Sequence, residues 1–320
     1  MLVYPFFIMW GTNILLLPDY LSYMSDAIFE PVENVEMPKK SGLVVLVGRS
    51  NVGKSTLMNT LVGTKIAATS FRAQMTRHII HGVMNSPYGQ AVFVDTPGVF
   101  KDKKNPLSGK LIGKVTEALK DIDVIIYVVD PTREIGQEER SVYGMIRHLP
   151  IPKILVINKS DLPKDQRTSQ PEYQAWANDF DAMFKLSALR ASHIQPLRDK
   201  VIELLPEGDE LYPSDQWTNV NKEFWIAEII REKVFSVFDK EVPYSMSVDV
   251  DLVEEKPDVT VIHARVLTND IRYKKIIIGK GGTKIKEIGL MARRELEQAV
   301  GKKIFLELEV EVDKHWMERL

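Results

Sequence analysis

The chain has 320 residues, enough for two domains with cores of their own, and its 44% hydrophobic and 27% charged residues are an ordinary globular composition. A formal net charge of −2 excludes a uniformly basic nucleic-acid binder, so any such binding needs a local patch. The lack of cysteine excludes disulfides and thiolate metal sites and fits the cytoplasm, and His78, His81, His148, His193, His263 and His315 form no ligand-spaced cluster.

Residues 1–40 read as an N-terminal extension. The apolar run MLVYPFFIMWGTNILLLPDYL is broken by Asn13 and Pro18-Asp19 before a ~20-residue span is complete, and no Lys or Arg precedes Lys39. Two readings stand. The start lies too early, with Met24 or Met37 the initiator, or the extension touches the inner face of the membrane peripherally.

From 41 to 205, short apolar runs alternate with helical patterns. LVVLV (43–47), AVFVD (91–95), DVIIYVVD (123–130), KILVIN (153–158) and MFKLS (183–187) read as buried strands. HIIHGVM (78–84) followed by NSPYGQ adds a sixth strand and a hairpin turn. The pattern predicts an α/β domain with a mostly parallel six-stranded sheet and flanking helices.

Gly48, Arg49, Ser50, Asn51, Val52, Gly53, Lys54, Ser55 and Thr56 satisfy G-x-x-x-x-G-K-S between a strand and a helix. Such glycines let backbone amides curl around a β-phosphate, Lys54 reaches the β/γ oxygens, and the Ser55 hydroxyl ligates Mg2+. Asp95, Thr96, Pro97 and Gly98 form DTPG at another strand end, where Asp95 holds Mg2+ through water and the Gly98 amide meets the γ-phosphate. In NKSD, Asp161 accepts from the two donors on the guanine edge, which adenine lacks. Asn158 braces the loop, the Lys159 stem covers the base, and Ser160 completes the turn. Ser187, Ala188 and Leu189 follow, with the Ala188 amide aimed at guanine O6. Together these motifs predict GTP and GDP as ligands. TSFRAQMTRH (69–78) reads as a switch segment, with Thr76 the metal ligand and Thr69 its rival. Lys54, Thr76 and Gly98 are the expected catalytic groups. Val99 follows DTPG and no Gln stands ready to orient water, so slow hydrolysis is expected.

PEGDELYPSDQWTNVN (206–221) reads as a linker. Beyond it, Phe224, Ala227, Ile230, Val234 and Phe238 recur at helical spacing. Val248, Val250 and Leu252 alternate with Ser247, Asp249 and Asp251 as a strand, DVTVIHARVL makes another, and a helix lies on each side of GKGG. KIFLELEVEVD closes with Ile304, Leu306, Leu308, Val310 and Val312 on one face. The order over 222–320 is helix, strand, strand, helix, helix, strand.

In motif order, in QMTRH (74–78), and in EIIREKVF and EVPYSMSV, the chain resembles the Era family, bacterial GTPases that bind small-subunit ribosomal RNA. The likeness runs from about 41 to 313; Ser50 in place of Pro, Met75 in place of Thr, a short C-terminal tail and the leader depart from it. It implies a Ras-like P-loop GTPase domain followed by an α+β type II KH domain. It also implies a cytoplasmic monomer that binds 16S rRNA near its 3′ end and acts in maturation of the 30S subunit. In this family the P-loop Asn, here Asn51, coordinates K+ as a second cation; the alternative is an Asn that only stabilises the turn.

GKGG is no second P-loop, since it lacks the four-residue gap, and GKLIGK at 109–114 fails likewise. Gly279, Lys280, Gly281 and Gly282 form the G-x-x-G loop with which a KH domain clamps about four unpaired nucleotides. From 272 to 294 the basic residues Arg272, Lys274, Lys275, Lys280, Lys284, Lys286, Arg293 and Arg294 stand against Glu287 alone, eight minus one, or +7. That is the local patch the bulk charge required. An RNA-binding protein whose nucleotide domain is only structural, or only a guanine-nucleotide sensor, is the rival reading, and phosphate release separates the two.

Overall fold

A computed structural model of the chain describes residues 39–69, 78–97, 113, 118–119, 121–239 and 241–319. The leader, most of the switch segment with Thr76, and Gly98 and Val99 lie outside the described residues. Among the described residues no helix is long and apolar enough to cross a membrane.

Six strands form the first sheet: β1 (Lys40–Val47), β2 (Ile80–Ser86), β3 (Gly89–Asp95), β4 (Val124–Val129), β5 (Lys153–Ile157) and β6 (Ala182–Lys185). Their order is β2-β3-β1-β4-β5-β6. Only the β2–β3 hairpin is antiparallel. Every residue of β3 and β4 is buried, as their unbroken apolar runs require of strands covered on both faces. On one face pack α1 (Lys54–Val62) through Leu57, Met58 and Leu61, and, after α2 (Gln137–Ile146) and α3 (Gln170–Ala175), α4 (Gln195–Leu204) through Leu197 and Val201. On the other face, α2 contributes Val142 and Ile146, and α3 contributes Tyr173. The parallel strands direct their carboxyl ends to one edge, so the loops after β1, β3, β4, β5 and β6 gather there. The MFKLS run ends as a strand at Lys185, and Ser187 makes only an isolated bridge with Ser192.

The segment 206–221 is strapped to the sheet. The Gln90 side chain, fully buried, accepts from the Leu211 amide at 2.8 Å and the Tyr212 amide at 2.9 Å, and donates to Tyr212 O at 2.8 Å. The Val83 amide donates to Trp217 O at 2.9 Å. A buried Gln inside a β-strand is costly unless both ends of its amide are bonded, and this segment bonds them.

Beyond the strap come α5 (Lys222–Val237), β7 (Met246–Glu255), β8 (Val259–Thr268), α6 (Ile271–Ile278), α7 (Thr283–Val300) and β9 (Lys303–Val312). The sheet order is β7-β8-β9, antiparallel then parallel. Asn221 caps α5, its side chain accepting from the Phe224 amide at 2.8 Å. Ile230, Val234, Ile277, Ile288, Ala292 and Leu296 fill the core. One strand reading is corrected. A bulge between Val250 and Leu252 reverses the alternation, so Leu252 is 46% exposed and Val253 packs inward in its place.

The two domains meet around Lys65, whose ammonium pairs with Glu232 of α5 at 2.9 Å and with Glu295 of α7. The Thr69 amide donates to Glu232 at 2.8 Å, and the Trp225 indole donates to Lys65 O at 3.0 Å.

Candidate nucleotide site and RNA interface

The loop after β1 turns into α1 at Gly53, which is its N-cap, with φ +98° and no side-chain cap. The first amides of α1 therefore point out of the helix end with its partial positive charge. A Cβ at Gly53 would lie 2.4 Å from Asn158 Nδ2, so glycine is required both by the dihedral and by that approach. Asn158 uses both ends of its amide. Nδ2 donates to Val52 O at 2.8 Å, and Oδ1 accepts from the Ala188 amide at 2.9 Å. One side chain thus joins the loops after β1, β5 and β6.

The Ala188 amide, the donor expected for guanine O6, is buried and donates to Asn158 Oδ1, as a buried N–H needs a partner within reach. Leu189 beside it is 68% exposed. Ser187 acquires a role that spacing alone did not mark: its hydroxyl donates to Asp161 Oδ1 at 2.5 Å and fixes the carboxylate.

Lys54 is buried and folds back over the loop, donating to Gly48 O at 3.2 Å and Arg49 O at 3.3 Å. Burial pushes its ammonium below the usual lysine value, while the charges of Asp95 and Glu139 pull the other way. Asn51 holds φ +66°, a left-handed conformation that Asn tolerates better than most residues. Ser55 Oγ donates to Asp95 Oδ2 at 2.5 Å, so a hydroxyl and a carboxylate converge at the loop's exit. This oxygen pair fits a hard divalent cation such as Mg2+, which takes one or two protein oxygens and completes its shell with phosphate and water. Thr96 is turned inward, its hydroxyl donating to Leu46 O at 2.8 Å.

The Arg49 side chain is 4% exposed, pairs with Glu139 at 2.8 Å and donates to Glu134 O at 3.0 Å. Glu139, fully buried, also accepts from the hydroxyls of Tyr127 and Tyr173. Burial pushes its carboxyl up, against the opposing pull of the Tyr127 bond and the Arg49 charge. Only the backbone of Arg49 remains to serve a phosphate. The sequence held no local signal for Glu139, whereas Asp130, at the end of β4, stood where the site's other polar strand ends stand.

In the second domain α6 ends at Gly279, and Gly279, Gly281 and Gly282 hold φ of +74°, +61° and +76°. A Cβ at Gly281 would meet nothing within 4 Å, which leaves the backbone open to close approach. Lys280, Lys275 and Lys286 are exposed, while Arg272 pairs with Asp270 and Lys284 with Glu287 at 2.8 Å. Lys274 is half-buried on α6. Beside the loop, Ile285, Lys286, Gly289, Leu290 and Arg293 of α7 face Leu306 and Leu308 of β9 across a groove of about 430 Å³. Apolar walls with basic rims suit unstacked bases on a strand whose phosphates pass the loop.

Residues 43–159 match the family described as 50S ribosome-binding GTPase, and residues 241–317 match the KH domain. The GTPase Era of Halothermothrix orenii is 38% identical over 284 residues, covering 88% of this chain and 96% of that protein. An Era variant of Aquifex aeolicus bound to GDP and AlF4− superposes with a TM-score of 0.80 at 35% identity, covering 88% of this chain and 96% of that one. Era in complex with MgGDPNP and nucleotides 1506–1542 of 16S ribosomal RNA superposes with a TM-score of 0.81, again at 35% identity and with coverage of 88% and 96%.

Proposed function

The chain belongs to the Era family of GTPases, and from that premise we propose that it is a GTP-hydrolysing switch that binds single-stranded RNA near the 3′ end of 16S rRNA and acts in assembly of the 30S ribosomal subunit. The reaction is hydrolysis of GTP to GDP and phosphate. The observation that carries the nucleotide half is the Asn158 side chain, which locks the phosphate loop to the base loop through Val52 and Ala188. Asp161, oriented by Ser187, is the acceptor for the guanine edge. Lys54 and the first amides of α1 hold the phosphates, and charge placed there before reaction stabilises the charge that develops on the transferred group. Ser55 and Asp95 would hold Mg2+, which would supply positive charge against the phosphates. K+ at Asn51 would add a second neutralising charge.

For the RNA half, the open Gly281 backbone, the basic rim and the α7–β9 groove support a clamp on a single strand. An Era crystallised with a 16S fragment, at 35% identity over 88% of this chain, names the class of RNA. The same reading makes the protein a cytoplasmic monomer. Crosslinking the protein to RNA in cells tests the whole assignment. Reads should pile up at the 3′ end of 16S rRNA and fall away in the Lys54→Ala variant. Reads spread evenly over cellular RNA would overturn it.

A further inference from the structure

The Asn158 amide donates to Val129 O at 3.0 Å, so the chain leaving β4 runs beside the chain leaving β5. That register places Asp130, whose side chain is fully buried, next to Lys159. The two carboxylate oxygens have separate tasks. Oδ1 accepts from the Thr132 amide at 3.0 Å and its hydroxyl at 2.7 Å, a local turn at a strand end. Oδ2 pairs with Lys159 Nζ at 2.6 Å, which a turn does not require.

Lys159 is unusual twice over. It holds φ +59°, a conformation L side chains other than Asn and Asp rarely adopt. Its side chain is 30% exposed, so its ammonium could take water in place of a protein partner, yet it lies against a buried carboxylate. Burial pushes the Asp130 carboxyl up, but the bonds from Lys159 and Thr132 outweigh this and leave it below its ordinary value, hence ionised at neutral pH. The loop 158–161 is therefore pinned on both flanks: the Asp130 carboxylate takes Lys159, and the Ser187 hydroxyl takes Asp161. The second pin orients the group that reads the base edge. The first draws the four-carbon stem of Lys159 into one course.

We infer that Asp130 is a positioning residue of this GTPase, which acts through Lys159 to set how long a guanine nucleotide stays bound. The inference rests on residues 158–161 being the guanine loop. Asp130 itself does not touch the base; it keeps the lysine stem where a base face lies against it.

Release of a fluorescent GDP analogue, chased with unlabelled nucleotide, measures this on the full chain. Asp130→Asn keeps the shape and removes the charge, and release should quicken roughly tenfold, the scale of one charge-assisted bond. GDP and GTP should quicken by similar factors, since the contact lies on the base side. Lys159→Met keeps the aliphatic stem without the ammonium and should match it. The double variant should then release no faster than either single one, because both remove the same contact. Lys159→Met alone reads the contact should Asp130→Asn fail to fold. Unchanged release in either single variant, factors that multiply in the double variant, or an effect confined to GTP would overturn the inference. An Asp161→Asn arm is run alongside. If it gains no affinity for xanthosine triphosphate, the guanine-loop reading itself falls; if it does and the Asp130 arms fail, only this inference falls.

Discussion

Replacing Lys280 and Gly281 together by aspartate places two carboxylates where an RNA backbone must pass the G-x-x-G loop. Lys280 is exposed, and a side chain at Gly281 meets nothing within 4 Å, so neither change collides with the fold. Gly281 sits at φ +61°, a region Asp enters at modest strain, so stability should fall by about 1 kcal/mol at most. Two unit charges about 4 Å apart interact by about 1 kcal/mol in water. One lost attraction and two new repulsions therefore amount to about 3 kcal/mol, roughly two orders of magnitude in affinity. The logarithmic salt dependence should also flatten by about 0.7, the single-strand value for one phosphate contact. Fluorescence anisotropy with a single-stranded oligoribonucleotide from the 3′ end of 16S rRNA measures both, and GTP affinity without RNA is measured on the same preparations. GTP binding should barely change, since Lys54, Asp95 and Asp161 lie in the other domain. A double variant that keeps its RNA affinity, or that loses GTP while keeping RNA, would refute the division of labour between the two loops.

Asp161→Asn should weaken GTP and favour xanthosine triphosphate, whose 2-oxo group accepts from an amide; unchanged GTP affinity in a fluorescence titration would sink the base-reading role. Hydrolysis should run faster in KCl than in NaCl at equal ionic strength, and Asn51→Ala should erase the difference; equal wild-type phosphate release in both salts would exclude K+ at Asn51. On the outer face of the KH sheet, Arg265 grips Asp251 in a bidentate pair and holds its carboxyl below the ordinary value. That pair's stabilisation is present above the ordinary carboxylate range and lost as pH falls through the lower folded value. Asp251→Asn should therefore flatten the acid limb of the melting temperature–pH profile, and an unaltered limb would show that the pair contributes nothing.

The motifs were legible because each is a local solution to a local demand. A glycine that must hold positive φ, a hydroxyl directly after a lysine at a helix start, and an acidic residue ending an apolar strand all leave their mark within a few residues. So did the strand runs 43–47, 91–95, 123–130 and 153–158, whose unbroken apolarity announced a sheet covered on both faces. Period-two patterning was equally reliable until one extra residue intervened: the bulge at Val250–Leu252 moved Leu252 outward, and nothing in the alternation announced it. Tertiary structure alone decided which partners the motif residues take. Asn158 reaches Val52 across 106 positions, Lys159 meets Asp130 across 29, and Arg49 turns inward to Glu139 on α2. It also made 206–221 a strap, since only the folded sheet shows a buried Gln90 that needs those backbone groups. The physical reason is common to all of these. Backbone conformation and burial period are imposed by neighbours in sequence, whereas the partner of a buried polar group is whichever residue the strand order and register bring within about 3 Å.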